Sequence, residues 1–368
     1  MSDTTPPSSE NIPSNAVELA QYPRPRIVRT QGLVSLTVLL VIVVTGAAVG
    51  LGAHNEKLGH WLQERETSSC QRDDRLIPYT LGFVDAGDRL LLGDLPQLDT
   101  SKGGVYVLGS STAIYCLEDW NLPPDQARLI HNFGIYSVNP TQILQFARYL
   151  IDRQSLLTAG GEKSLVFIGL AVTDMVEDNQ DVTVGGARYL PACLKRSGLY
   201  DYDPIAGISV VPLSPPARLI TYEKARSRSF LLRCLSGAEG AHARRSIDRA
   251  QFRKEITTRL GSDWEPVMSR QLPQLGALLD YLQSRHVRVV PFLVPTGSWT
   301  QGLTARDQFV SGVRALCEVK SLEFLDFSHL LKDDDFSDPL HPAADGTRKV
   351  HDVLMKIAMS HLHRTGAY

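Results

Sequence analysis

The chain has 368 residues, 43% of them hydrophobic, enough to bury one large core. A formal charge of −2 leaves no electrostatic footprint for nucleic acid. There is no phosphate-binding glycine loop, no dinucleotide fingerprint and no cysteine or histidine cluster at metal spacing, so neither cofactor nor metal is expected.

In chain order, residues 1–32 begin Ser-, Thr- and Pro-rich and read as a disordered tail. Residues 33–53, LVSLTVLLVIVVTGAAVGLGA, form 21 residues without a charge. As a helix they span about 30 Å, the thickness of a bilayer's hydrocarbon core, and are read as one transmembrane helix. Arg24, Arg26 and Arg29 precede this run, while His54, Glu56 and Lys57 follow with little positive excess. The expected topology is therefore single-pass in the inner membrane, with a cytoplasmic N-terminus and the main domain extracytoplasmic, in the periplasm. A cleaved signal peptide fits less well, because its apolar stretch would be shorter and no A-x-A site is clear. Residues 54–102 are a juxtamembrane lead-in with a helix near Glu56–Arg65.

From residue 103 to 368, short apolar runs alternate with amphipathic stretches. Strands are predicted at Gly104–Leu108, Arg128–Asn132, Leu165–Gly169, Val287–Val294 and Leu322–Phe327. Helices are predicted at Pro140–Arg153, Trp264–Ser284, Thr304–Cys317 and Ala343–Leu362. In the first of these, Ile143, Leu144, Phe146, Ala147, Leu150 and Ile151 recur at helical spacing. Such alternation implies an α/β domain with a mostly parallel sheet, whose ligands bind beyond the carboxyl ends of the strands. Between about 176 and 262 the pattern breaks into an insertion, Gly-, Pro- and Tyr-rich and then basic over Lys224–Arg253, read as a short helical pair. It would serve as a lid, a groove or a partner surface. Its arginines would reach anionic glycans or lipid heads, or form a solvated face. In an exported domain one disulfide, Cys193–Cys234, is suggested because both cysteines flank this insertion; burial of all five cysteines as small apolar residues is the alternative.

Two segments carry chemistry. In Val105-Tyr-Val-Leu-Gly-Ser-Ser-Thr, a buried strand stops at Gly109 and presents Ser110 and Ser111 where a helix opens. Backbone N–H groups there can face a developing oxyanion. Gly-Ser-Ser is equally an ordinary turn with a serine cap. In Phe336-Ser-Asp-Pro-Leu-His-Pro, Asp338 and His341 lie three residues apart before the last helix, stiffened by Pro339 and Pro342; they read either as an imidazole with its carboxylate or as a turn Asp and a His that merely precedes the helix. A serine is a weak nucleophile until an imidazole takes its proton and a carboxylate orients that imidazole. Asp333, Asp334 and Asp335 are rival carboxylates, read as solvated loop charges. His131, His286 and His351 are read as structural or exposed, and Tyr106 as core.

The order and residues of these segments resemble the SGNH (GDSL-like) hydrolase superfamily, with Ser111 at the nucleophile and Ser110 at the Asp of the G-D-S turn. Together with Val290-Pro-Phe-Leu-Val-Pro-Thr-Gly-Ser-Trp-Thr-Gln-Gly, they look like the DltD-type branch of membrane-anchored domains that transfer acyl groups to cell-envelope polymers. The resemblance covers about residues 103–360, with sharp matches at few of them. It implies a three-layer flavodoxin-like fold and a Ser111–His341–Asp338 triad. It also implies a cell-envelope glycan or lipid-linked acyl donor as substrate, and a membrane-bound O-acyltransferase as partner. The oxyanion would be met by the N–H of Ser111, by that of Ser137, where the family has Gly, and by Thr173, where it has the Asn of G-x-N-D, with Gly109 and Ser110 on the oxyanion and substrate side. Asp174 would be a structural partner. Trp299 would stack on a sugar, cover an acyl chain or simply fill the pocket wall. The Thr in place of Asn supports a competing reading: a catalytically weak or inactive SGNH-like scaffold that binds a glycan or the acyltransferase.

Overall fold

The computed structural model describes residues 27–55, 57–59, 61–62, 64–65, 103–117, 122–153, 161–176, 190–203, 205–236 and 246–368. The chain divides into two compact units, Met1–Ala48 and Val49–Tyr368. The described part of the first belongs to helix α1, Ile27–Ala53, whose side chains are described from Thr37 onward. Among the described residues no helix is long and apolar enough to cross a membrane. The apolar run Leu33–Ala53 begins upstream of those side chains, and the membrane reading rests on sequence. Residues 57–59, 61–62 and 64–65 are helical, within the stretch predicted at Glu56–Arg65.

In the second unit a five-stranded sheet is built from β1 (Val105–Gly109), β2 (Ile130–Asn132), β3 (Leu165–Leu170), β6 (Arg288–Leu293) and β7 (Leu325–Asp326). Its order is β2-β1-β3-β6-β7 and every pairing is parallel. Counted within the sheet, that is 2-1-3-4-5, the flavodoxin-like order. All residues of β1 and β3 are buried, so both faces of the sheet are covered. β7 is shorter than the predicted Leu322–Phe327, because only Leu325 and Asp326 find partners, Phe292 and Leu293 of β6.

The predicted helices form with small changes at their ends. Beyond α2 (Ser111–Ile114) and α3 (Pro124–Ala127), α4 runs over Pro140–Arg148 and then widens into a π-turn, Tyr149–Arg153. Its start is locally encoded. The Asn139 side chain accepts from the Gln142 N–H at 3.0 Å and the Gln142 side chain accepts from the Asn139 N–H at 3.2 Å, with Pro140 at the first helical position. α5 (Val172–Val176) follows β3. α9 (Trp264–Ser284), α10 (Thr304–Val319) and α11 (Ala344–Thr365) complete the scaffold.

Within the insertion lie helix α6 (Leu190–Ser197), strands β4 (Tyr200–Asp203) and β5 (Gly207–Val210), and helices α7 (Pro215–Ser236) and α8 (Arg249–Leu260). The helical pair is present, and an antiparallel hairpin that the sequence reading lacked precedes it. α8 is no lid: Phe252, Ile256 and Leu260 join the main core. Cys234 carries a free thiol, so the Cys193–Cys234 bridge is not formed; Cys116 and Cys317 are free and buried.

Candidate active site

β1 and β3 are neighbours whose connections leave in opposite directions along the sheet, which opens a crevice beyond their carboxyl ends. Gly109 ends β1 with φ of +147°, and a Cβ there would lie 2.5 Å from the Gly169 carbonyl oxygen and 2.6 Å from the Ala113 Cβ. A Cβ on Gly169 would likewise meet Ala113 at 2.6 Å. Two glycines on adjacent strands thus let α2 sit directly on the strand ends, and Ser111 opens that helix.

The two candidate hydroxyls part company here. Ser110 is buried, and its Oγ is hydrogen-bonded to the Thr112 Oγ1 at 2.9 Å. Its hydroxyl is therefore engaged by Thr112 and not by His341. Ser111 is half-buried, with its Oγ 2.9 Å from the His341 Nε2. On the far side of the ring, Nδ1 lies 2.8 Å from the Asp338 Oδ2. An ionised carboxylate can only accept, so Nδ1 carries the proton and Nε2 is left to accept from Ser111.

The loop that holds this pair is closed on itself. Asp338 Oδ1 accepts the N–H groups of Leu340 at 2.7 Å and His341 at 2.9 Å. The Ser337 N–H and hydroxyl both donate to the His341 carbonyl, at 2.9 and 3.1 Å. Phe336 and Pro342 form an antiparallel bridge at the base. The Tyr115 ring lies 4.9 Å from the imidazole, at 45° to it.

Trp299 contributes from beneath rather than from the pocket wall. It is 2% exposed, its Nε1–H donates to the Pro339 carbonyl at 3.0 Å, and Phe252 and Phe336 pack edge-on against it. Its reading as a ring that touches substrate is therefore corrected: the indole pins the Asp338–His341 loop. The turn that carries it (Ser298–Thr300) is held by Arg253 of α8, which donates to the Trp299 and Gln301 carbonyls at 3.2 and 2.7 Å. Arg249 is likewise engaged, donating to Asp333 at 2.6 Å. These two arginines of the basic stretch thus hold parts of the fold together.

The rival carboxylates are also spoken for. Burial would raise the Asp333 carboxyl, but hydrogen bonds from the Ser298 hydroxyl and N–H and from Arg249 outweigh it and hold the group below its usual range. Asp335 accepts from the Lys332 N–H at 2.9 Å and from Lys349 at 2.6 Å. Only Asp334 keeps the exposed character predicted for all three. Cys116, five residues past Ser111, is no rival nucleophile: burial pushes its thiol up, and it donates to the Thr112 carbonyl at 3.1 Å.

Ser137 stands after β2 and Thr173 after β3, the strands on either side of β1. Ser137 adopts φ of +54°, the left-handed conformation that glycine takes easily. Its backbone N–H forms no hydrogen bond among the described residues. Thr173 is buried in the first turn of α5. Asp174 accepts from the Ala171 N–H at 2.9 Å and so shapes the turn between β3 and α5, a structural role.

One residue escaped the sequence reading altogether. Asn132, at the end of β2, donates through Nδ2 to the Ile114 and Leu117 carbonyls at 3.0 and 2.9 Å and accepts from the Gly134 N–H at 3.0 Å. It staples the exit of α2, and so the seat of Ser111, to the neighbouring strand. A Cβ on Gly134, two residues on, would lie 2.4 Å from the Ile114 Cγ1, so the turn after Asn132 closes directly on α2. Among the described residues no group of three or more His, Cys, Asp or Glu side chains stands close enough to hold a metal ion.

No family model matches the chain, and no curated protein is significantly similar. Among solved structures it is similar to a protein of Bacteroides fragilis described as a "putative acylhydrolase", with 14% identity and a TM-score of 0.39. That likeness covers 75% of this chain and 98% of the other. So loose a superposition assigns neither family nor activity, and the DltD-type resemblance is not identified by it.

Proposed function

We propose that the protein is a membrane-anchored serine esterase or O-acyltransferase that forms an acyl-enzyme on Ser111. The observation that carries this reading is the unbroken relay from Ser111 Oγ to His341 Nε2 at 2.9 Å and from His341 Nδ1 to Asp338 Oδ2 at 2.8 Å. As Ser111 Oγ attacks an ester carbonyl, its proton passes to Nε2. Asp338 steadies the resulting imidazolium. The tetrahedral oxygen is met by the N–H groups of Ser111 and Ser137, with the Thr173 hydroxyl as a third donor. Collapse expels the alcohol, which takes the proton back from His341. Water or a second hydroxyl then attacks the acyl-enzyme by the same steps in reverse. The apolar run at 33–53 and the arginines before it favour an extracytoplasmic site, and hence a cell-envelope glycan or lipid-linked acyl group as substrate. A membrane-bound O-acyltransferase is the partner that such chemistry suits.

The test is release of p-nitrophenol from its acetate ester by the full-length chain. Ser111→Ala should lower turnover to the uncatalysed background while leaving thermal unfolding unchanged. Equal rates for wild type and variant would remove the enzyme reading and leave a binding scaffold, the reading that the Thr at 173 favours.

A further inference from the structure

α7 lies against the last turn of α1 and carries an apolar face that nothing in the described chain covers. Ile220, Leu231 and Leu235 share one stripe, since 11 residues make three helical turns and the next residue of the stripe is four further on. Ile220 is 68% and Leu235 74% exposed, and Leu219 and Leu231 are exposed too. Lys224 falls on the same stripe, with a stem that can lie along apolar surface and an ammonium that can reach outward. Over Arg218–Arg233 the helix holds five cations and a single acid, Glu223, which His54 engages at 2.6 Å.

Its seat against α1 is close and specific. A Cβ on Gly52 would lie 2.7 Å from the Phe230 ring, and one on Gly50 would lie 4.0 Å from the Ser227 hydroxyl. The Arg226 Nε donates to the Ala53 carbonyl at 3.1 Å, satisfying an acceptor that the helix end leaves open. Farther along, Arg65 donates to the Arg233 carbonyl at 2.8 Å. Gly50 to Ala53 are the final residues of the apolar run 33–53, and Leu51 among them is 76% exposed. Trp61, an exposed indole with the Arg65 guanidinium 5.3 Å from its centroid, follows directly. Tryptophan and arginine at that position suit a membrane–water interface.

From this juxtaposition we infer that α7 lies in the outer interface of the bilayer that α1 crosses, with Ile220, Leu231 and Leu235 among the acyl chains and its cations at the headgroups. The inference rests on the membrane-anchored reading above. The part of α7 around Arg226–Phe230 packs on residues 50–53 and shares their depth. If those residues end a transmembrane segment, the leucines of α7 have lipid as their neighbour. The insertion then anchors the domain a second time.

Photocrosslinking tests this in the full-length chain reconstituted into vesicles of phosphatidylethanolamine and phosphatidylglycerol. The photoreactive residue p-benzoylphenylalanine replaces, one at a time, Leu231, Leu235, Val41 on α1 and the exposed Gln308 on α10. Lipid adducts at Leu231 and Leu235 several-fold above Gln308, comparable to those at Val41, are expected. Adducts at Val41 without any at Leu231 or Leu235 overturn the placement of α7 while keeping the anchor. Adducts at none of the three overturn the anchor itself. A protein-sized adduct at Leu235 overturns the lipid assignment in favour of a second copy of the chain.

Discussion

Asp338→Asn separates the shape of the Asp338–His341 loop from the chemistry proposed for it. In the native loop, Oδ1 accepts two backbone N–H groups at 2.7 and 2.9 Å, and Oδ2 accepts from the imidazole at 2.8 Å. Asparagine keeps one acceptor, and the two backbone donors claim it. Its amide nitrogen then faces Nδ1. Because that amide donates, the imidazole must accept at Nδ1 and carry its proton on Nε2, which points at Ser111 Oγ 2.9 Å away. A ring nitrogen that already bears a proton has no free lone pair with which to take another from serine. In Ser-His-Asp enzymes this wrong tautomer costs about 10⁴ in kcat, roughly 5.5 kcal/mol of barrier. The fold should survive, since both backbone bonds remain. The assay is p-nitrophenyl acetate turnover beside urea unfolding of the same preparations. A variant that unfolds at the wild-type midpoint yet works within about tenfold of the wild-type rate, some 1.4 kcal/mol, would refute the assigned proton path.

Two further outcomes follow from the surrounding packing. Trp299→Phe removes the donor to the Pro339 carbonyl, a loss of about 1–3 kcal/mol in unfolding free energy. It should lower kcat with KM unchanged, because the indole holds the loop without touching substrate; a change in KM alone would return Trp299 to the pocket. His361 is buried on α11 with Nε2 donating to the Lys163 carbonyl at 3.0 Å. Burial is the main cause of its lowered pKa, the hydrogen bond to Lys163 opposes it, and the charges of Arg288 and Arg364 add to the lowering. The unfolded chain therefore binds a proton at this site before the folded one does. Its contribution is full above the ordinary histidine pKa of about 6.5 and is lost as pH falls below that value, at no more than about 1.4 kcal/mol per pH unit. Urea unfolding at pH 7.5 and 5.5 should show a smaller drop for His361→Gln than for wild type; equal drops would contradict it.

The sheet and its helices were legible because each signal was local. Buried runs at 105–109, 165–170 and 288–293 and helical periodicity at 264–284 are properties of consecutive residues. The Gly-Ser-Ser turn and the Asp-x-x-His loop were legible for the same reason. What stayed hidden depends on partners far along the chain. The resemblance names Ser111 as the nucleophile, but not that Thr112 captures the Ser110 hydroxyl while Ser111 faces an imidazole 230 residues away. Trp299 looked like a pocket aromatic until its N–H met the Pro339 carbonyl, and Asp333 looked solvated until Arg249 and Ser298 closed on it. The hairpin β4–β5 was missed because Tyr200-Asp-Tyr-Asp alternates buried and exposed residues over only four positions. Its turn is made by the Asp203 side chain, which accepts from the Ile205 and Ala206 N–H groups at 2.8 and 2.7 Å.

The central assignment is that one hydroxyl of this chain is made nucleophilic, and a fluorophosphonate that phosphonylates activated serines reads it directly. Mass spectrometry of the treated full-length chain should find a single adduct, mapped to Ser111 and absent from His341→Ala. An adduct on Ser110, or none on a folded chain, would contradict it.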